Sequence, residues 1–265
     1  MGAGLRSDLN LTRELAITNF KLKYTGSVLG YAWSLVKPLL IFGMTYVVFV
    51  EFLLRGRTGK AENFPVQLLV GIVVWTFFAD ATGASVPAIV NNGHMIRKAY
   101  FPRWIPVVAS TLSAAMTLFL NLILMIAIGV PLHFYQVGFQ ALLIPLLFVE
   151  LYVLVLGIGL LLSSLFVYFR DLGHVWEIMV QLLFYGSAII FPFSLIPGRF
   201  RVIVGLNPAA QIIEDMRRAL VSKAIPWDAT VLGWLAFVPF TLVVVIAVAG
   251  ALTFRRLSPR FAESL

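Results

Sequence analysis

Six stretches of the chain, about 34–54, 65–88, 105–130, 141–168, 174–195 and 230–254, are apolar almost throughout. A helix of about 20 apolar residues crosses the ~30 Å hydrocarbon core of a bilayer. Lipid offers no hydrogen bonds, so backbone at that depth must pair with itself, and runs of this length read as helices. The chain is therefore predicted to be an all-α integral membrane protein with six transmembrane helices. The fourth stretch is long enough to tilt or to extend beyond the bilayer. Composition agrees: 60% of the 265 residues are apolar and 12% are charged, with a mean hydropathy of +0.95, whereas a soluble domain carries about 25% charged residues. The net charge of +8 does not point to nucleic acid. Its basic residues sit beside apolar runs, where they fix orientation and meet anionic lipid.

An even number of spans puts both termini on one side. Arg6, Arg13, Lys21, Lys23, Lys37, Arg97, Lys98, Arg103, Arg170, Arg255, Arg256 and Arg260 share that side. The other side holds Arg55, Arg57 and Lys60, plus a group within 196–229. Positive charge stays in the cytoplasm, so both termini are expected there. This divides the chain into a cytoplasmic segment 1–33, a transmembrane domain 34–254 and a tail 255–265. The first thirty residues lack the early apolar core of a signal peptide. There is no cysteine, and His94, His133 and His174 fall in three different loops, so neither a disulfide nor a metal centre is expected.

Two further segments are apolar without spanning. In 10–33, Leu11, Leu15 and Leu22 share one helical face, and Ile17, Phe20 and Tyr24 form a second. An amphipathic helix in the inner interface, ending near Gly26, fits this pattern. In 196–229, Asn207 followed by Pro208 reads as a helix start. Ile212, Ile213, Met216 and Leu220 then recur at helical spacing, with Glu214, Asp215, Arg217 and Arg218 on the remaining surface. Residues 192–205 are apolar but broken by Pro192, Pro197 and Gly198. Two short re-entrant helices dipping into the outer leaflet are predicted before the last span, because irregular backbone cannot face lipid.

No phosphate-binding loop is present. The nearest approach, GRTGK at 56–60, has the wrong spacing, and no Asp-x-Asp pair occurs. Ionisable groups at membrane depth are costly, which singles out Glu51, Asp80, Glu150 and Glu177. Asp80 and Lys37 lie at depths that allow them to pair. Glu150 fits either a packing or a path-lining role. Phe42, Tyr46 and Phe49 share one face of span one; Trp75 lies in span two, and Phe184, Tyr185 and Phe191 in span five. Such rings suit a sugar polymer that slides past, and equally helix packing or lipid contact. Arg170 and Asp171, between spans four and five, fit a positive-inside anchor with a helix cap or the inner mouth of a pathway.

The segments MIRKAYFPRWIP (95–106), LGYAWSLVKPLL (29–40), YFRD (168–171) and LNP (206–208), in this order in a six-span chain, resemble the membrane subunit of ABC-2 type exporters. The likeness is closest to those exporting lipid-linked polysaccharides such as O-antigen, teichoic acid and galactan. The resemblance implies a homodimer with the polysaccharide path between the copies, at the bacterial cell membrane. It implies two copies of a separate ATPase that bind ATP and magnesium, this chain holding no cofactor and no catalytic site. Asn92, His94, Met95, Ile96, Arg97, Lys98, Tyr100, Phe101 and Arg103 would couple to that ATPase, braced by the N-terminal helix. Lys37, Asp80, Arg170 and Asp171 would form the inner mouth, and the seven rings above would line the path. Arg199, Arg201, Asn207, Arg217 and Arg218 would belong to the outer gate. A drug or small-lipid exporter shares this architecture, and a proton-coupled carrier using Asp80 and Glu150 is a more distant reading.

Overall fold

The structure, a computed structural model, describes residues 2–27, 30–53, 63–98, 102–131, 135, 138–190, 193, 196–222 and 225–261; the side chains of 2–5, 50–53, 97–98, 128 and 199 lie outside the description. Every described regular element is helical. In chain order they are α1 (Gly2–Tyr24), α2 (Trp33–Thr45, continued by a π-helical stretch Tyr46–Leu53), α3 (Phe64–Ser85), α4 (Ala88–Asn91), α5 (Gly93–Lys98), α6 (Ile105–Gly129), α7 (Ile144–Phe166), α8 (Leu172–Gly186), α9 (Gly198–Gly205), α10 (Pro208–Leu220), α11 (Asp228–Leu232) and α12 (Phe237–Leu257). Proline marks several starts: α3, α6, α7 and α10 each carry one in their first two positions, where its missing N–H has no intrahelical partner to lose.

Five described segments are long and apolar enough to cross a membrane: Gly30–Phe49, Phe64–Ser85, Ile105–Ala127, Phe139–Phe166 and Asp228–Arg260. The predicted stretch 174–195 differs. Its described α-helix is the 15-residue α8, which begins at Leu172, ends at Gly186, rises about 22 Å and stops short of the ~30 Å core. Ala188, with φ 52°, turns the chain inward, and Ser187, Ala188, Ile189, Ile190 and Phe193 are all buried. The two short helices expected before the last span are α9 and α10.

Helix α3 stands at the centre. Leu68, Ile72, Trp75, Phe77 and Phe78 are buried within one core that α6, α7 and α10 complete. Helices α7 and α12 meet backbone to backbone: a Cβ on Gly250 would lie 2.1 Å from the Gly157 carbonyl oxygen. Glycine pairs let apolar helices approach this closely in lipid, where dispersion rather than the hydrophobic effect holds them. Helix α1 packs along α6. Its buried face is Thr12, Ala16 and Tyr24, not the predicted leucine stripe, and Leu22 is exposed. Small side chains there allow close contact, and the Tyr24 hydroxyl meets Thr117 Oγ1 at 3.3 Å. A second, smaller core holds Ile89, Ile96, Val107, Val167, Phe254 and Phe261, at the end of the bundle where α3, α7 and α12 finish.

Candidate functional site

Asp80, near the C-terminal end of α3, accepts from Lys37 Nζ of α2 at 2.7 Å and from Lys23 Nζ of α1 at 3.0 Å. The Lys37 contact is the pairing that depth alone suggested; Lys23 was not foreseen, because it follows from α1 lying against α6. Two ammonium groups share one carboxylate, so the cluster keeps a net positive charge. All three are part-exposed, so each pair contributes only about 0–1 kcal/mol and the lysines remain free to exchange partners.

Three cavities adjoin this cluster. One of about 640 Å³ is lined by Lys23, Tyr24, Trp33, Ser34, Lys37 and Asp80. The next, about 330 Å³, shares Lys37, Ile41, Thr76 and Asp80 with it and adds Trp75, Phe184 and Tyr185. The third, about 540 Å³, shares Ala79, Val180 and Gln181 with the second and reaches Arg170, His174 and Trp176. Together they form a trough along the C-terminal half of α3, with the Lys23–Lys37–Asp80 cluster at one end, Arg170, His174 and Glu177 at the other, and aromatic rings between. Trp75 and Phe184 meet edge-on at 6.0 Å, Phe184 and Tyr185 at 5.4 Å, and Trp176 Nε1 donates to Thr82 Oγ1 at 3.1 Å.

Other predicted residues lie apart. Phe42 lines a separate, mostly apolar cavity of about 440 Å³ between α2, α3 and α6, its ring 5.8 Å from that of Tyr46; Phe49 is half-buried in the π-helical stretch. Phe191 lies outside the described residues. Arg170 rests over the Phe166 ring at 5.5 Å. Asp171 precedes α8, but its side chain makes no capping hydrogen bond, since its backbone is already α-helical; the helix-cap reading fails. Around α5, His94 is exposed, and Asn92 Nδ2 donates to the Ala88 carbonyl at 2.8 Å. Met95 is half-buried. Of the residues that the resemblance assigns to coupling, Ile96 sits in the smaller core and the Arg103 guanidinium donates to the Ser258 carbonyl. The side chains of Arg97, Lys98, Tyr100 and Phe101 lie outside the description.

On the opposite side, α10 departs most from expectation. Its charged residues are not on the surface: Glu214, Asp215 and Arg217 are all buried. Arg217 donates Nε to the Gln67 carbonyl at 2.9 Å, Nη1 to the Ala188 carbonyl at 3.0 Å and to Glu214 Oε2 at 3.1 Å, and Nη2 to the Ile189 carbonyl at 2.7 Å. The carbonyls freed where α8 breaks thus find their donor in a guanidinium, whose planar fork suits several acceptors at once. Gly71 leaves it room, as a Cβ there would sit 2.5 Å from Nη2. Asn207 caps α10 as its sequence position predicts, accepting from Ala209 N at 3.0 Å, and also donates to Ser187 Oγ at 3.0 Å. Asp215 accepts from Gln211 Nε2 at 2.8 Å and from Asp228 N at 2.9 Å. Burial pushes its carboxyl above the ordinary aspartate range, partly offset by those two donors. Arg201 donates to the Ile196 carbonyl at 3.0 Å, and Arg218 lies over the Trp227 ring at 5.7 Å. The side chain of Arg199 is outside the description. No group of three or more His, Asp or Glu that could hold a metal ion occurs among the described residues.

The family profile of ABC-2 type transporters matches residues 10–221, which takes in α2 to α10 and most of α1. The chain belongs to the ABC-2 type transporter family. Its long apolar helices accordingly make it a multi-pass membrane protein of that family. An O-antigen export system permease protein RfbA of Klebsiella pneumoniae is 28% identical over 258 residues, covering 95% of this chain and 94% of that protein. The protein of the same name from Myxococcus xanthus is 26% identical over 254 residues, with coverage of 95% and 94%. The polysialic acid transport protein KpsM of Escherichia coli is 26% identical over 220 residues, 81% of each chain. The ABC-2 match spans both the trough along α3 and the buried cap around Arg217, so both belong to the matched region rather than to an appended segment.

Proposed function

We propose that this chain is the permease subunit of an ATP-driven exporter of polysaccharide carried on a polyprenyl pyrophosphate lipid, at the bacterial cell membrane with both termini cytoplasmic. The observation that carries the reading is the trough along α3. Its lysines suit a pyrophosphate at the inner leaflet, and the adjoining rings of Trp75, Phe184 and Tyr185 offer sugars flat surfaces with few fixed hydrogen bonds. The similarity to O-antigen and polysialic acid transport proteins over most of the chain supports it. In this reading α8 and the buried turn after it make up a sixth crossing, and α9 and α10 re-enter the outer leaflet to frame the exit. The path runs between two copies of the chain. Two ATPase subunits, which bind ATP and magnesium, dock at α5 and its neighbouring loop, with exposed His94 at the contact.

The test is affinity purification of the tagged protein from its native membrane, with identification of co-purifying proteins and lipids. An ATPase in equal amount together with a polyprenyl-linked glycan is the expected result. The ATPase without any glycan moves the cargo to a drug or small lipid. Recovery with no ATPase overturns the exporter reading and returns attention to Asp80 and Glu150 as proton carriers.

A further inference from the structure

The smaller core gathers the ends of several helices around one residue beyond α12. Phe261 is fully buried, its ring edge-on to Phe254 at 5.5 Å and 6.5 Å from Tyr168. Against it converge Ile89 of α4, Ile96 of α5, Val107 of α6 and Val167 at the foot of α7. Just before it, the Arg103 guanidinium bonds the Ser258 carbonyl. The chain after α12 is therefore fixed twice, by an aromatic plug and by a hydrogen bond from the loop that follows α5. This core is separate from the one around α3.

We infer that residues 254–261 form a strut that sets the position of α5 and carries its displacement into α12 and α7, with Phe261 and Arg103 as positioning residues for the ATP-driven step. The inference rests on the reading that α5 docks an ATPase. Its physical basis is that packed interiors transmit strain rather than absorb it. A push on α5 meets Ile96 in the small core, and that core includes Phe254 of α12. Helix α12 is in turn locked to α7 by the backbone contact at Gly157 and Gly250. The three elements are thereby made to move as one piece.

Because the chain contains no cysteine, spin labels can be placed cleanly at His94→Cys and Arg256→Cys, both exposed positions. The distance between them, read in the detergent-purified full chain, is expected to be narrowly distributed. It should broaden in Phe261→Ala and narrow again in Phe261→Leu. An unchanged width in Phe261→Ala overturns the strut, whether or not an ATPase binds. Should Phe261→Ala fail to fold, Arg103→Gln leaves the plug in place and is expected to broaden the distribution to a lesser degree; no broadening there is equally fatal. With the ATPase complex in vesicles, polymer exported per ATP hydrolysed should fall about tenfold in Phe261→Ala and recover in Phe261→Leu, while the ATPase still co-purifies. An unchanged ratio overturns the inference. A parent chain that carries no ATPase overturns the docking reading instead, and leaves the distance measurement to decide the strut.

Discussion

Replacing Arg217 with alanine would remove the donor that closes the interior where α8 ends. The loss can be worked through contact by contact. The Gln67 carbonyl lies in α3 and keeps its own helical hydrogen bond, so little is lost there. The Ala188 and Ile189 carbonyls lie in a buried turn, and each costs about 1–3 kcal/mol when left unpaired. Glu214 loses its counter-ion at 3% side-chain exposure, and breaking a buried pair from one side costs about 3–5 kcal/mol. These costs overlap, since one relaxation relieves several of them, and about 5 kcal/mol is a fair total. That is a large part of the 5–15 kcal/mol that typically holds a fold together. For a chain of this size 1 kcal/mol moves a melting midpoint by about 2–4 °C, so a fall of about 10–20 °C is expected. The assay is the temperature at which the detergent-purified protein leaves its monodisperse peak on size exclusion. Arg217→Lys should fall between, because an ammonium cannot reproduce the planar fork. Arg217→Met combined with Glu214→Leu should recover part of the loss, as no charge is then stranded. A midpoint for Arg217→Ala within about 3 °C of the parent would refute the reasoning, because the two unpaired buried carbonyls together should exceed that.

Three further perturbations follow from the packing and charge described above. Gly250→Ala drives a methyl group into the Gly157 backbone and should destabilise by about 2 kcal/mol or more; a melting midpoint equal to the parent's would show that α7 and α12 can part freely. Asp80→Asn should shift the midpoint by only a few degrees, because its pairs are part-exposed. It should nevertheless raise the anionic phospholipid retained through purification, since Lys23 and Lys37 are then released; unchanged retention counts against the trough as an anion site. Burial holds the Asp215 carboxyl above its ordinary range, so the folded chain takes up that proton more readily than the unfolded one. The resulting stability is present below the ordinary carboxylate range and is lost as pH rises through the raised value. Asp215→Asn should flatten this part of the melting profile, and a profile identical to the parent's would reject it.

Much of the architecture is legible because lipid imposes a length and a polarity on each crossing. The spans α3, α6 and α7 are continuous apolar runs, and the start of α10 is written in Asn207 and Pro208. The Lys37–Asp80 contact follows from depth, since both residues fall at matching depth in adjacent spans. What periodicity could not supply is the identity of each face's neighbour. The charged side of α10 looks solvated on a helical wheel, yet it meets carbonyls released by the broken end of α8, a break that the apolar stretch 174–195 conceals. Nor could periodicity show that Arg103 bonds the Ser258 carbonyl or that Ile96 packs into the core that holds Phe261. In each case the partners lie outside the local helix: Ser258 is 155 residues from Arg103, and Ala188, Ile189 and Gln67 are 29, 28 and 150 residues from Arg217. The one local hint was the spacing of Glu214 and Arg217, three apart on one helix, which marks a pair able to support each other when buried.

The span from Gln67 to Arg217 also has a meaning in time. Ribosomes add about 5–20 residues per second, so Gln67 is made roughly 8–30 s before the side chain that will bond its carbonyl. Throughout that interval α3 resides in the bilayer without α10, although the two are packed together in the finished protein. The turn at Ala188 and Ile189 waits as well, for the shorter time needed to make the next 28 or so residues. Assembly is therefore ordered: α10 closes the core around α3 only after α3, α6, α7 and α8 have been made, and α12 packs on α7 after that. A chain stalled before residue 217 would carry four of the five long apolar segments and still leave the carbonyls of Ala188 and Ile189 without the guanidinium that bonds them.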